Sequence, residues 1–258
     1  MNKKYFTDKN LIELDVVDST NNYTANLLLK TKLVDRSVIM AHFQTSGRGQ
    51  RGEVWESEPG KNLLFSLVLK ADCLDTENYF LLSKIVAISI NEVIEDLSGK
   101  IGFIKWPNDI LIHGRKVAGV LVESVMMADQ IKYAIVGIGT NISLNLEELG
   151  ELRSVATSLN LALGYEVSRE NLFRTLLQEL DSLYFDIKKG ISPIPEWRES
   201  LSTLSKKVSV AHGGSKIEGI AEDVDNLGNL IVRTDSGNLV TLTSGDVTLE
   251  NNDVAPEL

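Results

Sequence analysis

The chain is predicted to fold as α+β, with a mixed or largely antiparallel sheet, helices on one side of it, and a small C-terminal β-barrel. Three observations carry this. Strand-like runs at 101–105, 109–112, 116–124 and 132–139 are joined by turns too short for crossover helices, so they must pair as hairpins. Long helical patterns at 77–98 and 168–189 flank that block and need a sheet face to cover. After Ser205 the texture changes to five short β-rich runs, broken at Gly213-Gly214, Leu227-Gly228-Asn229, Ser236-Gly237-Asn238 and Ser244-Gly245-Asp246. A boundary is therefore placed at 204–207, giving units 1–205 and 206–258.

The elements follow in order. "LIELDVV" at 11–17 reads as a strand. Asp18, Ser19 or Thr20 then caps a helix through "NNYTANLLLK". Residues 37–45 and 62–69 are apolar runs short enough for buried strands. The helix at 77–98 stops at Ser98-Gly99. Ser168 caps the next long helix, and Pro193 and Pro195 open a last one over 193–205. The tail from 251 is polar and expected to fray.

Composition narrows the classes. With 258 residues and 43% hydrophobic content, the chain can bury one large core or two. A net charge of −10 disfavours nucleic acid as a partner for the whole chain. The single cysteine, Cys73, excludes an intrachain disulfide and suits a reducing compartment, so a cytoplasmic location is expected. The N-terminus lacks an apolar run, and "YFLLSKIVAISINEVIEDL" carries Lys84, Asn91 and acids, which makes it a core helix rather than a membrane span. His42, His113 and His212 lie far apart, so no metal ligands are assigned.

The densest motif is Gly47-Arg48-Gly49-Gln50-Arg51-Gly52, with Trp55 close behind. Glycines let backbone approach a ligand closely, and guanidinium forks match phosphate or carboxylate oxygens. The letters fit G-x-G-x-x-G, and Asp72 sits near the offset of a ribose ligand. The dinucleotide fingerprint nevertheless needs a helix straight after the glycines, and "EVWESEPGKN" is not one. A solvated surface loop is the plain alternative.

The second motif is "KWPNDILIHGRKVAGVLVES". Pro107 fixes the turn, Asn108 and Asp109 can bond back to it, and Lys105 and Lys116 stand on either side. Folding the hairpin should bring those lysines, with Arg115, to one end of the sheet. Gly119 weakens its strand unless something packs closely there. A decorated surface hairpin is the alternative. "VGIGTN" at 136–141 and "DSTN" at 18–21 are weaker signals, readable equally as a strand exit and a helix cap.

Together with "NLLFSLVL" and "ATSL", these motifs resemble biotin protein ligases in order and spacing, across residues 11–250. The resemblance implies a ligase that activates biotin with Mg-ATP as biotinyl-5′-AMP, then transfers it to a lysine of a biotin carboxyl carrier domain of acetyl-CoA carboxylase or a related carboxylase. By family position, Ser19, Thr20, Asn21 and Gln44 line the biotin site, and Arg48, Gly49 and Gln50 form a loop closing over it. Lys116 would meet the biotin carboxylate and α-phosphate, making Lys116 and Arg48 the catalytic candidates. Arg51, Trp55, Lys105, Asn108, Asp109 and Asn141 would serve ATP or its Mg2+. Two departures stand out. Family members often carry arginine where Gln50 stands. The regulatory members carry an N-terminal DNA-binding domain, for which this sequence leaves no room before residue 11, so no DNA partner is expected. Monomer and homodimer are both compatible with the resemblance. The competing readings are a lipoate or octanoyl ligase or transferase of the same superfamily, and a non-enzymatic biotin-binding module.

Overall fold

The computed structural model describes residues 10–30, 33, 35–70, 76–99, 102–127, 130–145 and 154–249. Asp72, Cys73 and the C-terminal tail lie outside these. The larger sheet has seven strands: β1 (Leu11–Val17), β2 (Val38–Gln44), β3 (Leu63–Lys70), β4 (Phe103–Lys105), β5 (Asp109–Ile112), β6 (Arg115–Met127) and β7 (Gln130–Thr140). Their order is β1-β2-β3-β7-β6-β5-β4. β1 and β2 run parallel, joined by the crossover helix α1 (Thr20–Lys30), and the other neighbours are antiparallel. The sheet is mixed, as the short hairpin turns required.

β3 shows why the sheet is covered on both faces. Leu63, Phe65, Leu67 and Leu69 enter the main core beneath α2 (Thr76–Ser98) and α4 (Arg169–Lys188), where Phe65 meets Phe173 edge-on at 5.2 Å. Val68 points the other way, into a smaller cluster with Leu28 of α1, Ile39 and Ile135. The long helices thus share one face, as expected, while α1 packs on the opposite one. An unbroken apolar strand such as "LLFSLVL" needs cover on both sides.

Two local expectations change. The helix beginning near Pro193 is α5 (Ile194–Glu199) and ends before residue 200. Ser200 and Ser202 instead hydrogen-bond Ile104 on the edge strand β4, at 2.9 Å each, so the sheet edge outcompetes the helix for their backbone. A short helix absent from the sequence reading, α3 (Leu159–Leu163), is capped by Ser158 and closed by Gly164 at φ 77°.

The C-terminal strands β8 (Lys207–His212), β9 (Ser215–Val224), β10 (Leu230–Thr234), β11 (Leu239–Leu242) and β12 (Asp246–Leu249) form a separate antiparallel sheet, ordered β11-β10-β9-β8-β12. Its interior is continuous with the main core. Trp106 makes the join. It is 1% exposed, its indole N–H donates to the Gly228 carbonyl at 3.0 Å, and its backbone N–H donates to Thr203 Oγ1 at 2.9 Å. The Trp106–Pro107 peptide is cis.

Candidate active site

The first turn of α1, the end of β2, the Gly47–Trp55 loop, the β4–β5 turn and strands β6 and β7 enclose a cleft of about 300 Å³. That volume suits a small molecule. Four cations (Arg48, Arg51, Lys105, Lys116) and three acids (Glu53, Asp109, Asp246) line it. The wall is thus locally positive on a chain of net charge −10, as anionic ligands require.

One end is an uncharged polar box. Gln44 Oε1 accepts from the Thr20 N–H at 2.7 Å and from Thr20 Oγ1 at 3.1 Å. Ser66 Oγ bonds Thr20 Oγ1 at 2.8 Å and Asn21 Oδ1 at 2.6 Å. Ser19, Thr20 and Asn21 are all under 5% exposed. Gly137 on β7 makes room for this, because a Cβ there would strike the Asn21 amide. A buried box bonded internally in this way fixes its side chains before a ligand arrives.

The other end is built for charge. β6 carries an extra residue opposite β5: Ile110 pairs with Ala118, but Leu111 pairs with Lys116. The bulge brings Lys116 onto the same face as Gly119, where a Cβ would lie 3.4 Å from Lys116 Nζ. Lys116 Nζ sits 2.6 Å from Asp109 Oδ1 and 5.5 Å from the centre of the Trp55 ring. Trp55 lies flat against Gly139 and Gly119, both without side chains to obstruct it. Lys105 reaches Asp246 of β12 at 3.9 Å. Asn108 is buried and stitches the hairpin by donating to the Val120 carbonyl.

The Gly47–Gly52 loop is tied down on both sides. Its own turn is closed by Gly49 N–H to the Glu53 carbonyl at 2.7 Å and Trp55 N–H to the Gly47 carbonyl at 3.0 Å. Arg48 donates to Asn22 Oδ1 and pairs with Glu123. Arg51, at φ 53°, reaches the C-terminal sheet, donating to the Ala211 carbonyl at 2.7 Å and Ser244 Oγ at 3.0 Å. The sequence gives no hint of these partners, because they lie 26, 75 and more than 150 positions away along the chain. Asp18 joins the network: a hydrogen bond from Asn22 and, more weakly, the Arg48 charge hold its carboxyl below the usual range.

Of the residues singled out in the sequence, Ser19, Thr20, Asn21, Gln44, Arg48, Gly49, Gln50, Arg51, Trp55, Lys105, Asn108, Asp109 and Lys116 all border the cleft. Asn141 does not. It is 7% exposed beneath the wall, donating to the Thr157 carbonyl at 3.2 Å. Arg115 is likewise absent from the wall. Ser66, Glu123, Gly245 and Asp246 were not picked out. Ser66 alone left a trace, as a hydroxyl interrupting "NLLFSLVL".

The profile of the biotin/lipoate A/B protein ligase family matches residues 13–141, and that of the biotin protein ligase C-terminal domain matches 203–249. A bifunctional ligase/repressor BirA from Bacillus spizizenii is 30% identical over 93% of this chain and 74% of its own length. The chain belongs to the biotin protein ligase family. A biotin–[acetyl-CoA-carboxylase] ligase of Paracoccus denitrificans is 30% identical over 86% of this chain and 94% of its own. The structure of the Aquifex aeolicus biotin protein ligase in complex with biotin and ATP superposes with a TM-score of 0.80 at 26% identity. It covers 95% of this chain and all of that one. Among the described residues no helix is long and apolar enough to cross a membrane, and no group of three His, Cys, Asp or Glu could hold a metal ion.

Proposed function

We propose that this ligase joins biotin to ATP in the cleft and then passes the biotinyl group to a lysine of a biotin carboxyl carrier domain. The observation that carries the assignment is the division of one cleft into an uncharged, pre-bonded polar box and a cationic end floored by glycines. The ureido ring of biotin offers both donors and acceptors, which suits the box of Thr20, Asn21, Gln44 and Ser66. The carboxylate then points towards Lys116, and the nucleotide lies over Trp55. These placements, like the catalytic roles of Lys116 and Arg48, are our reading of the geometry.

In the first step a carboxylate oxygen of biotin attacks the α-phosphorus, and the bond to the β-phosphate oxygen breaks. Biotinyl-5′-AMP and pyrophosphate result. The reacting groups are both anions, so Lys116, held by Asp109 against the floor, offsets their repulsion and the charge that builds at phosphorus. In the second step the acceptor amine attacks the acyl carbon, AMP leaves, and the nitrogen gives up a proton. Mg2+ fits as a passenger on the ATP phosphates, because it keeps most of its waters and needs only one or two carboxylates. Of the three wall carboxylates, Asp109 would be our candidate to hold it, sharing its charge between the ion and Lys116, and the ion would neutralise phosphate charge.

The test is incubation with ATP, labelled biotin and a carrier domain. Biotin-dependent pyrophosphate release followed by label on one carrier lysine is the expected outcome. Equal or better turnover with lipoate or octanoate would move the enzyme to the sister activity.

A further inference from the structure

Glu123 does not border the cleft, yet both of its carboxylate oxygens are committed to residues that do. Oε1 accepts from the Arg48 guanidinium, and Oε2 accepts from Asn21 Nδ2 at 2.8 Å. Arg48 belongs to the glycine loop, whereas Asn21 belongs to the first turn of α1 and reaches Ser66 through its other amide atom. β6 sets the arrangement. Gly119, Leu121 and Glu123 alternate along one face: Gly119 floors the cationic end, Leu121 lines the cleft, and Glu123 stands behind the polar box.

We propose that Glu123 is a positioning residue for biotin, a single carboxylate that clamps the loop to α1 and fixes which way the Asn21 amide faces. The inference rests on the assignment of the polar box to biotin. An ordinary surface ion pair joins two side chains that do nothing else, and little follows from breaking it. Here one charge orders two wall residues from separate elements. Its loss leaves Arg48 with Asn22 Oδ1 alone and at the same time leaves the Asn21 N–H2 with only a long contact, 3.4 Å, to the Leu121 carbonyl.

The test compares Glu123→Gln and Glu123→Asp with the parent enzyme, using pyrophosphate release with each substrate varied in turn. In the Gln variant, which keeps shape and one acceptor but no charge, the biotin KM should rise about tenfold, the worth of one charge-assisted hydrogen bond. kcat and the ATP KM should stay within about threefold. The Asp variant, charged but shorter, should fall between. Hydrogen exchange over residues 47–54 of the ligand-free Gln variant should quicken. Combined with Arg48→Gln, Glu123→Gln should cost less than the two single effects summed, since the Arg48 link is shared, yet more than Arg48→Gln alone, since the Asn21 link is lost as well. An unchanged biotin KM and unchanged loop exchange, in a variant whose parent binds biotin normally, would overturn the role of Glu123 alone. Equal rises in both KM values would also overturn it. A parent protein that fails to bind biotin would overturn the pocket assignment, and this inference with it.

Discussion

Gly139→Ala is the sharpest probe of the site. A Cβ on Gly139 would lie 2.6 Å from Trp55 Cε2 and 2.8 Å from Cζ2, well inside contact distance. Overpacking of this size costs about 1–3 kcal/mol when the surroundings cannot give. Trp55 can give, because it sits on an irregular segment between Glu53 and Glu58, partly exposed and with its indole N–H unbonded. The ring should therefore swing off the floor, and the sheet should not move. The cost then falls on the site. Lys116 loses the ring 5.5 Å from its ammonium, a contact of about 0.5–2 kcal/mol, and the nucleotide loses its platform. A combined loss of about 2 kcal/mol is roughly a thirtyfold rise in the ATP KM. Biotin-dependent pyrophosphate release measures it, beside a thermal unfolding curve whose midpoint should fall by no more than about 3 °C. Gly137→Ala is the matched control, since its Cβ strikes Asn21 instead and should raise the biotin KM. Unaltered kinetics in Gly139→Ala, or a stability loss large enough to explain the kinetics, would refute the reasoning.

Three further outcomes are expected. Lys116→Ala should cut adenylate formation about a hundredfold or more with the fold intact, and a normal rate of pyrophosphate release at saturating substrates would remove it from the mechanism. Gln50→Arg should slow dissociation of biotinyl-5′-AMP by supplying a charged fork where a neutral amide stands; an equal or faster off-rate in stopped-flow chase would show that Arg51 or Arg48 already fills the role. Glu92 of α2 is pushed up to about 8, first by burial and then by Glu179 and Glu196. Its unfolded form ionises near 4.5, so the folded state loses stability as pH rises from there through about 8. Glu92→Gln should raise the free energy of unfolding at pH 8 by about 1 kcal/mol, after discounting for partial exposure, and leave it nearly unchanged at pH 4, as denaturant titrations at the two pH values would show.

The sequence was legible wherever local chemistry decided the outcome. Apolar runs, hairpin spacing and the Gly-rich turns after Ser205 together marked the twelve strands of the described residues, and the two motif-bearing loops both border the cleft. What it hid was long-range pairing. Arg48 and Arg51 are held by Glu123, Ala211 and Ser244, which are too remote in the chain for the motif to announce them. The shortening of α5 and the burial of α1 on the far face were decided by a sheet edge and a sheet face, neither of which exists in a local window. The glycines of "VGIGTN" looked weak because their meaning lies in what rests on them, an asparagine and a tryptophan from elsewhere.

The distribution of the tryptophans gives the molecule a built-in optical reporter. There are three. Trp197 is fully sealed in the core beside Lys84, and the Trp106 indole is pinned to the Gly228 carbonyl. Only Trp55 combines partial exposure, an unbonded ring N–H and a place on the wall of the cleft. Trp106 also borders the cleft, but its ring is sealed and pinned, so a change in emission when a substrate enters should come mainly from Trp55, and Trp55→Phe should largely silence it while the other two rings keep reporting the state of the fold. Occupancy and unfolding can thus be read in one cuvette, without a dye, as separate signals.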